Sequence, residues 1–226
     1  MSPSDIDAIF EALAQAAGAP VTELDVKRRR SPFRSLVACL LSAQSRDANT
    51  KRAADALFER AATPEAILAL EEAEIARLIQ PCGLYNTKAR NLKKLCRALV
   101  DGHGGGVPSD RQGLMALPGI GRKCADIMLR FVFNEPAIAV DTHVFRVATR
   151  IGLSHGRTAE QVARDLEAVV PERFAMRAHL LLLEHGKRIC RARAPRCALC
   201  PVAPWCAYFA ATTAAGPAGT DAAAGG

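Results

Sequence analysis

The residues best suited to chemistry stand in one short stretch. Leu117–Pro118–Gly119–Ile120–Gly121–Arg122–Lys123 puts a Gly-x-Gly turn directly before a lysine, and an aspartate follows at Asp141. Glycines let a backbone approach another surface closely, and the free N–H groups at a helix start face an anion. An amine nucleophile, a backbone phosphate clamp and a nearby carboxylate are equipment for chemistry on the sugar of a nucleotide in DNA. The plainer reading is a helix–helix turn that needs Gly119 and Gly121 for geometry alone. Even as a clamp, the turn would read no base sequence.

The lysine poses an energetic problem. An amine must be neutral to attack, and for a lysine of ordinary pKa, ~10.4, that costs about 4–5 kcal/mol at pH 7. The positive end of a helix offsets only about 0.3–1 kcal/mol of this. DNA phosphates and an ionised Asp141 would favour the ammonium. Burial, or a base that removes the proton as attack proceeds, must supply the rest. Asp141 is the candidate base, and its charge would also stabilise a cationic sugar at C1′. As a purely structural residue it would be the N-cap of the helix that follows, bracketed by Val140 and Val144.

A second cluster lies near the C-terminus, with the spacing Cys190-x6-Cys197-x2-Cys200-x5-Cys206. Structural zinc usually takes two tight Cys pairs, and only Cys197/Cys200 forms one. Four thiolates in one compact loop also suit a [4Fe–4S] cube, so the spacing leaves iron–sulfur and zinc both open. Arg191, Arg193 and Arg196 fall between the first two cysteines, so ligation would stiffen a loop presenting guanidinium groups to phosphates. The alternative for that loop is a solvated basic surface. Cys39, Cys82, Cys96 and Cys124 are scattered through apolar or helical contexts and are expected as buried thiols.

The elements that must position these residues are helical. The chain has 226 residues, half of them apolar, a net charge of +7 and a pI near 9.2. That length allows one large or two small domains, and that charge suits a polyanionic partner. Helical spacing predicts helices over 4–17, 33–42, 46–60, 64–70, 71–80, 87–102, 110–117, 122–133, 141–151, 159–169 and 175–189, with no alternating strand, so the fold class is all-α. Ser4 with Asp7, and Ser109 with Gln112, are the expected helix-start pairs. In the helix after the Gly-x-Gly turn, Cys124, Ile127, Met128 and Phe131 should form the buried stripe. The first residues lack the pattern of a secretory signal, and no apolar run approaches the ~18–20 residues of a membrane helix. A cytoplasmic protein with no membrane partner is expected, with a disordered tail over 210–226.

Three motifs agree in order and spacing with one family. Leu117–Lys123, Val140–Asp141–Thr142–His143 and the cysteine spacing resemble endonuclease III, the bifunctional glycosylase family of the helix–hairpin–helix glycosylase superfamily, from about Ser31 to Tyr208. The resemblance implies a six-helix barrel domain over 25–135 with its helix–hairpin–helix at about 110–133. It implies an iron–sulfur cluster domain from 1–24 plus 136–209, with a DNA-binding cleft between the two. Lys123 would attack C1′ of a damaged pyrimidine nucleotide, expel the base and form a Schiff base, and β-elimination would cut the strand. Asp141 would be the essential carboxylate, and the four cysteines would hold [4Fe–4S]. Gln44 would fill the gap left by a flipped nucleotide, Leu84 would wedge between bases, and His143 would orient or contact a phosphate. The partner would be double-stranded DNA carrying damaged pyrimidines or abasic sites. The protein would act as a monomer in the cytoplasm, nucleoid-associated in a bacterium.

Met115, the basic run Lys27–Arg28–Arg29–Arg30 and Ser45–Arg46 depart from the family pattern and bear on lesion preference and DNA affinity. A monofunctional mismatch adenine glycosylase has a similar cluster but lacks the hairpin lysine and carries a further C-terminal domain. A non-catalytic DNA-binding or redox iron–sulfur protein would require Lys123 and Asp141 to be incidental.

Overall fold

The computed structural model describes residues 1–18 and 31–214. The basic run at 27–30 and the end of the tail, 215–226, lie outside the described residues. Helices account for the regular structure, and no strand occurs among the described residues. The chain divides into two compact units, Val21–Ala139 and Met1–Pro20 with Val140–Gly226.

Helix α1 (Pro3–Ala17) opens the chain. Its N-cap is Ser2, whose hydroxyl accepts from the Asp5 amide while Asp5 reaches back to the Ser2 amide. The capping pair is therefore two residues earlier than Ser4/Asp7, because Pro3 suits the first helical position. Five helices follow: α2 (Pro32–Ser42), α3 (Asp47–Arg60), α4 (Pro64–Leu68), α5 (Glu72–Leu78) and α6 (Tyr85–His103). Within α6, Lys88, Ala89, Leu92, Leu95, Cys96 and Leu99 are buried on one stripe. That stripe packs against α2, α4 and α5. The core of this unit combines Leu36, Val37 and Leu41 of α2, Leu57 of α3 and Ile75 of α5 with the α6 leucines, all fully buried. Each such side chain contributes about 1.5–3 kcal/mol over an exposed position.

The pair α7 (Arg111–Ala116) and α8 (Arg122–Met128) completes the unit, and α8 runs on into a π-helical turn at Leu129–Phe133. Asp110, not Ser109, caps α7, its carboxylate accepting from the Gly113 amide. The buried positions of α8 are Ala125, Asp126 and Met128, followed by Leu129 and Phe131 in the π turn. Cys124 and Ile127 are only half-buried. Met128 and Phe131 of the expected stripe are buried, and the half-buried pair both precede the π turn.

The second unit joins α1 to α9 (Thr142–Ile151), α10 (Ala159–Val169), α11 (Glu172–Ala175), α12 (Ala178–Arg188) and α13 (Ala207–Ala214). Phe10 stacks on Phe174 at 5.7 Å, and α1 lies along α12. Helix α9 crosses α12 where Gly186 stands, and a Cβ at that glycine would come within 3.0 Å of His143 Cβ. A glycine inside an otherwise continuous helical pattern was the available signal for this close approach. Residues 210–214, expected within a disordered tail, are the end of helix α13. Low sequence complexity did not prevent helix there, because alanine has the highest helix propensity.

Candidate active site and cysteine loop

The Gly-x-Gly turn joins α7 to α8. Leu114, Leu117 and Ile120 are buried and anchor it to the core. Gly119 has φ 81°, and a Cβ there would meet Leu40 and Asn91 only at ordinary contact distance, so it is the left-handed conformation, not space, that favours glycine. Gly121 differs. It is the extended N-cap of α8 with φ −94°, and nothing stands within 4 Å of where its Cβ would be. Its backbone is bare rather than strained, and no side chain at that position caps α8.

Lys123 stands exposed in the first turn of α8. The next residue, Cys124, points instead toward α2, its thiol hydrogen-bonded with Cys39. That bond, together with burial, pushes the Cys124 thiol well above the ordinary range. Cys82 and Cys96 are buried as expected, whereas Cys39 and Cys124 are half-buried.

A buried carboxylate, unremarked in the sequence, ties the two hairpin helices together. Asp126 is fully buried and accepts from Arg111 Nε of α7 at 2.8 Å and from Arg122 Nε of α8 at 3.4 Å. Removing one partner of a buried charge network is strongly destabilising, because the remaining charges lose their compensation. Asp126→Ala should therefore cost about 3 kcal/mol and lower the thermal midpoint by about 6–12 °C, as read by circular dichroism. A midpoint unchanged by the substitution would show that the carboxylate does not hold the hairpin.

The other proposed insertion residues lie in the same unit. Gln44 is exposed in the loop after α2, and Leu84 is 60% exposed just before α6. Met115 on α7 is 42% exposed.

In the second unit Asp141 caps α9. Its Oδ1 accepts from the amides of His143 at 2.9 Å and Val144 at 2.8 Å. Val140 and Val144 are both buried, as the hydrophobic bracket predicts. His143 is half-buried with its Nδ1 3.1 Å from Arg146 Nη2.

Two arginines of α9, missed in the sequence, hold the cysteine loop. Arg146 donates to the carbonyls of Cys190 at 2.9 Å and Gly186 at 2.9 Å. Arg150 donates to the carbonyls of Arg191 at 2.7 Å and Ala192 at 3.1 Å, and its guanidinium lies over the Tyr208 ring. Carbonyls that would otherwise be unpaired in an irregular loop are thereby satisfied. Arg191, Arg193 and Arg196 stay exposed.

Cys190, Cys197, Cys200 and Cys206 line one cavity with Ile151, Val202, Phe209 and His185. No group of three or more His, Cys, Asp or Glu forms a ready coordination set among the described residues. The chemistry of the lining nevertheless fits a soft, cationic metal core. Burial first, and then the neighbouring thiols, push Cys197 and Cys200 above the usual thiol range. Crowded thiols in an apolar wall cannot ionise together without a cation to compensate them. His185 Nε2 is 3.6 Å from Cys200 Sγ, and burial lowers this imidazole to about 4, so it stays neutral.

The chain is similar to known proteins over most of its length. Residues 37–172 match the model of the HhH-GPD superfamily base excision DNA repair proteins. Endonuclease III of Rickettsia felis is 41% identical over 209 residues, covering 92% of this chain and 97% of that protein. Endonuclease III of Escherichia coli K12 is 45% identical over 189 residues, covering 84% and 88%. A trapped endonuclease III–DNA covalent intermediate superposes with a TM-score of 0.82 at 34% identity, over 94% of this chain and 99% of that one. With the hairpin lysine, the capping aspartate and the cysteine spacing all present, this chain belongs to the endonuclease III family within the HhH-GPD superfamily of base excision DNA repair proteins.

Proposed function

We propose that this protein is a base excision repair DNA glycosylase with AP lyase activity, acting on oxidised pyrimidines and abasic sites in double-stranded DNA. The observation that carries the reading is Lys123, an exposed amine in the first turn after the bare backbone of Gly121. Its Nζ lone pair attacks C1′, the C1′–N bond breaks, and the base leaves with that electron pair and takes a proton. The sugar ring opens to a protonated imine. Loss of a C2′ proton then expels the 3′ phosphate, and water releases the lysine. Asp141 supplies negative charge as the cationic sugar develops. The amides around Gly119 and Gly121 grip phosphate, as do the guanidiniums of Arg191, Arg193 and Arg196, and His143 orients a phosphate. Gln44 fills the vacated position and Leu84 parts the neighbouring bases, offsetting an unstacking cost of a few kcal/mol.

Cys190, Cys197, Cys200 and Cys206 would hold a [4Fe–4S] cluster, which when bound cross-links the arginine loop. Iron and acid-labile sulfide analysis of the purified protein should give about four of each per chain, and zinc alone would overturn this part of the proposal. The protein works as a monomer in the cytoplasm, where its DNA substrate is. Among the described residues no helix is long and apolar enough to cross a membrane. The test of the activity is borohydride reduction during reaction with an abasic-site duplex. A covalent protein–DNA adduct is expected, and DNA binding without an adduct would refute the lyase assignment.

A further inference from the structure

The two segments proposed to enter DNA share an uncommon backbone. Gln44 has φ 52° and Leu84 φ 47°, both in the left-handed region that residues with side chains avoid. Such conformations persist only where the surroundings over-determine them. Both residues are exposed, so their own side chains do not hold them in place.

What they have in common is Lys88. This lysine, on the inward stripe of α6, is only 5% exposed. Its Nζ donates to the carbonyl of Leu41 at 2.9 Å and to the carbonyl of Cys82 at 2.9 Å. Its backbone amide also donates to the carbonyl of Leu84 at 2.9 Å. Leu41 lies in the last turn of α2, three residues before Gln44, and Cys82 lies two residues before Leu84.

The last turn of α2 has each carbonyl accounted for separately. Cys39 accepts from the Ser42 hydroxyl, Leu40 from the Ala43 amide and Ser42 from the Ser45 amide, while Leu41 accepts from Lys88. A cation at the C-terminal end of a helix also complements the dipole there. Leu41 and Cys82 are both buried, so without the ammonium two buried carbonyls would be orphaned at once. An apolar residue would pack in this stripe more cheaply than a desolvated ammonium. Burial accordingly lowers the Lys88 pKa. Core packing therefore does not account for lysine here.

We propose that Lys88 is a positioning residue that clasps the Gln44 and Leu84 loops in the geometry needed to enter the duplex. The inference rests on the glycosylase reading above and deepens it. Lys88 touches neither the lesion nor Lys123; it acts through the two loops. The cost of its loss should fall on extrusion of a base-paired lesion, and little on an abasic site, where no base has to be unpaired.

The test compares two substrates and two variants. Lys88→Met removes the donors at similar length, and Lys88→Arg retains them. Under single-turnover conditions Lys88→Met should excise thymine glycol from duplex DNA about 20-fold more slowly, with borohydride trapping on a preformed abasic site changed less than about 3-fold. Lys88→Arg should recover at least part of the excision rate. Leu84→Ala combined with Lys88→Met should be markedly less than additive, because both act on one loop. Equal losses on the two substrates, no loss on either, or strict additivity with Leu84→Ala would overturn the clasp. A 2-aminopurine opposite the lesion reports loop insertion on binding alone, and Lys88→Met should dampen its signal. That readout needs no catalysis, so failure of wild type to trap an abasic site would refute the lyase reading while leaving the clasp open to measurement.

Discussion

Lys123→Gln abolishes the borohydride-trapped adduct and slows strand cleavage at abasic sites by about a thousand-fold or more, since the covalent route closes with the amine. Fold and binding are expected to survive. Lys123 is exposed, with its neighbours Cys124 and Ala125 making the inward contacts of that turn, so its substitution should shift stability by less than about 0.5 kcal/mol. Affinity for a duplex with a non-cleavable abasic analogue should fall by no more than about ten-fold, the scale of one lost phosphate contact or charge. The measurement pairs adduct formation on a denaturing gel with the binding isotherm of the same variant. An adduct of wild-type yield would move the nucleophile to another amine. The exposure of Lys123 also answers the energetic problem raised by the sequence in one respect: the protein by itself does not bury this amine. The duplex, the extruded nucleotide or a proton-accepting group has to complete the desolvation or remove the proton as attack occurs.

Asp141→Asn should separate the two roles of that residue. Asp141 uses Oδ1 to accept from both amides of the first turn of α9. Asparagine presents the same carbonyl oxygen and is an equally good N-cap. Loss of the negative charge from the helix start costs only about 0.3–1 kcal/mol, so the thermal midpoint should move by a few degrees at most. Base excision is expected to fall by about a hundred- to a thousand-fold, the scale of removing a group that stabilises charge formed only in the transition state. Asp141→Ala makes the contrast, losing the cap as well and unfolding earlier by about 1 kcal/mol. Full excision by the asparagine variant would reduce Asp141 to its cap.

Asp126 belongs to the scaffold under Lys123 rather than to the chemistry. The carboxylate joins Arg111 of α7 to Arg122 of α8. Its removal would loosen the hairpin and thereby affect trapping through position rather than through chemistry. Together the three substitutions distinguish nucleophile, charge and support.

The sequence alone determined the parts of this protein whose physics is local. A glycine turn before a helix, an aspartate at a helix start and a set of cysteines within one loop all declare themselves over a few residues, as does the all-helical pattern of apolar spacing. Even there the local signal was ambiguous by a residue or two. Ser2 rather than Ser4 caps α1, and Asp110 rather than Ser109 caps α7, because several competent capping residues adjoin and backbone geometry chooses among them. Of the stripe expected after the glycine turn, Met128 and Phe131 are buried, whereas Cys124 and Ile127 are only half-buried and Ala125 and Asp126 turn inward. Only the tertiary structure could supply the supports. Lys88 meets the Leu41 carbonyl across 47 residues, Arg146 meets the Cys190 carbonyl across 44, and Asp126 meets Arg111 across 15. A buried charge becomes tolerable only once the fold brings it a partner, and nothing in the spacing of the chain announces which partner that will be.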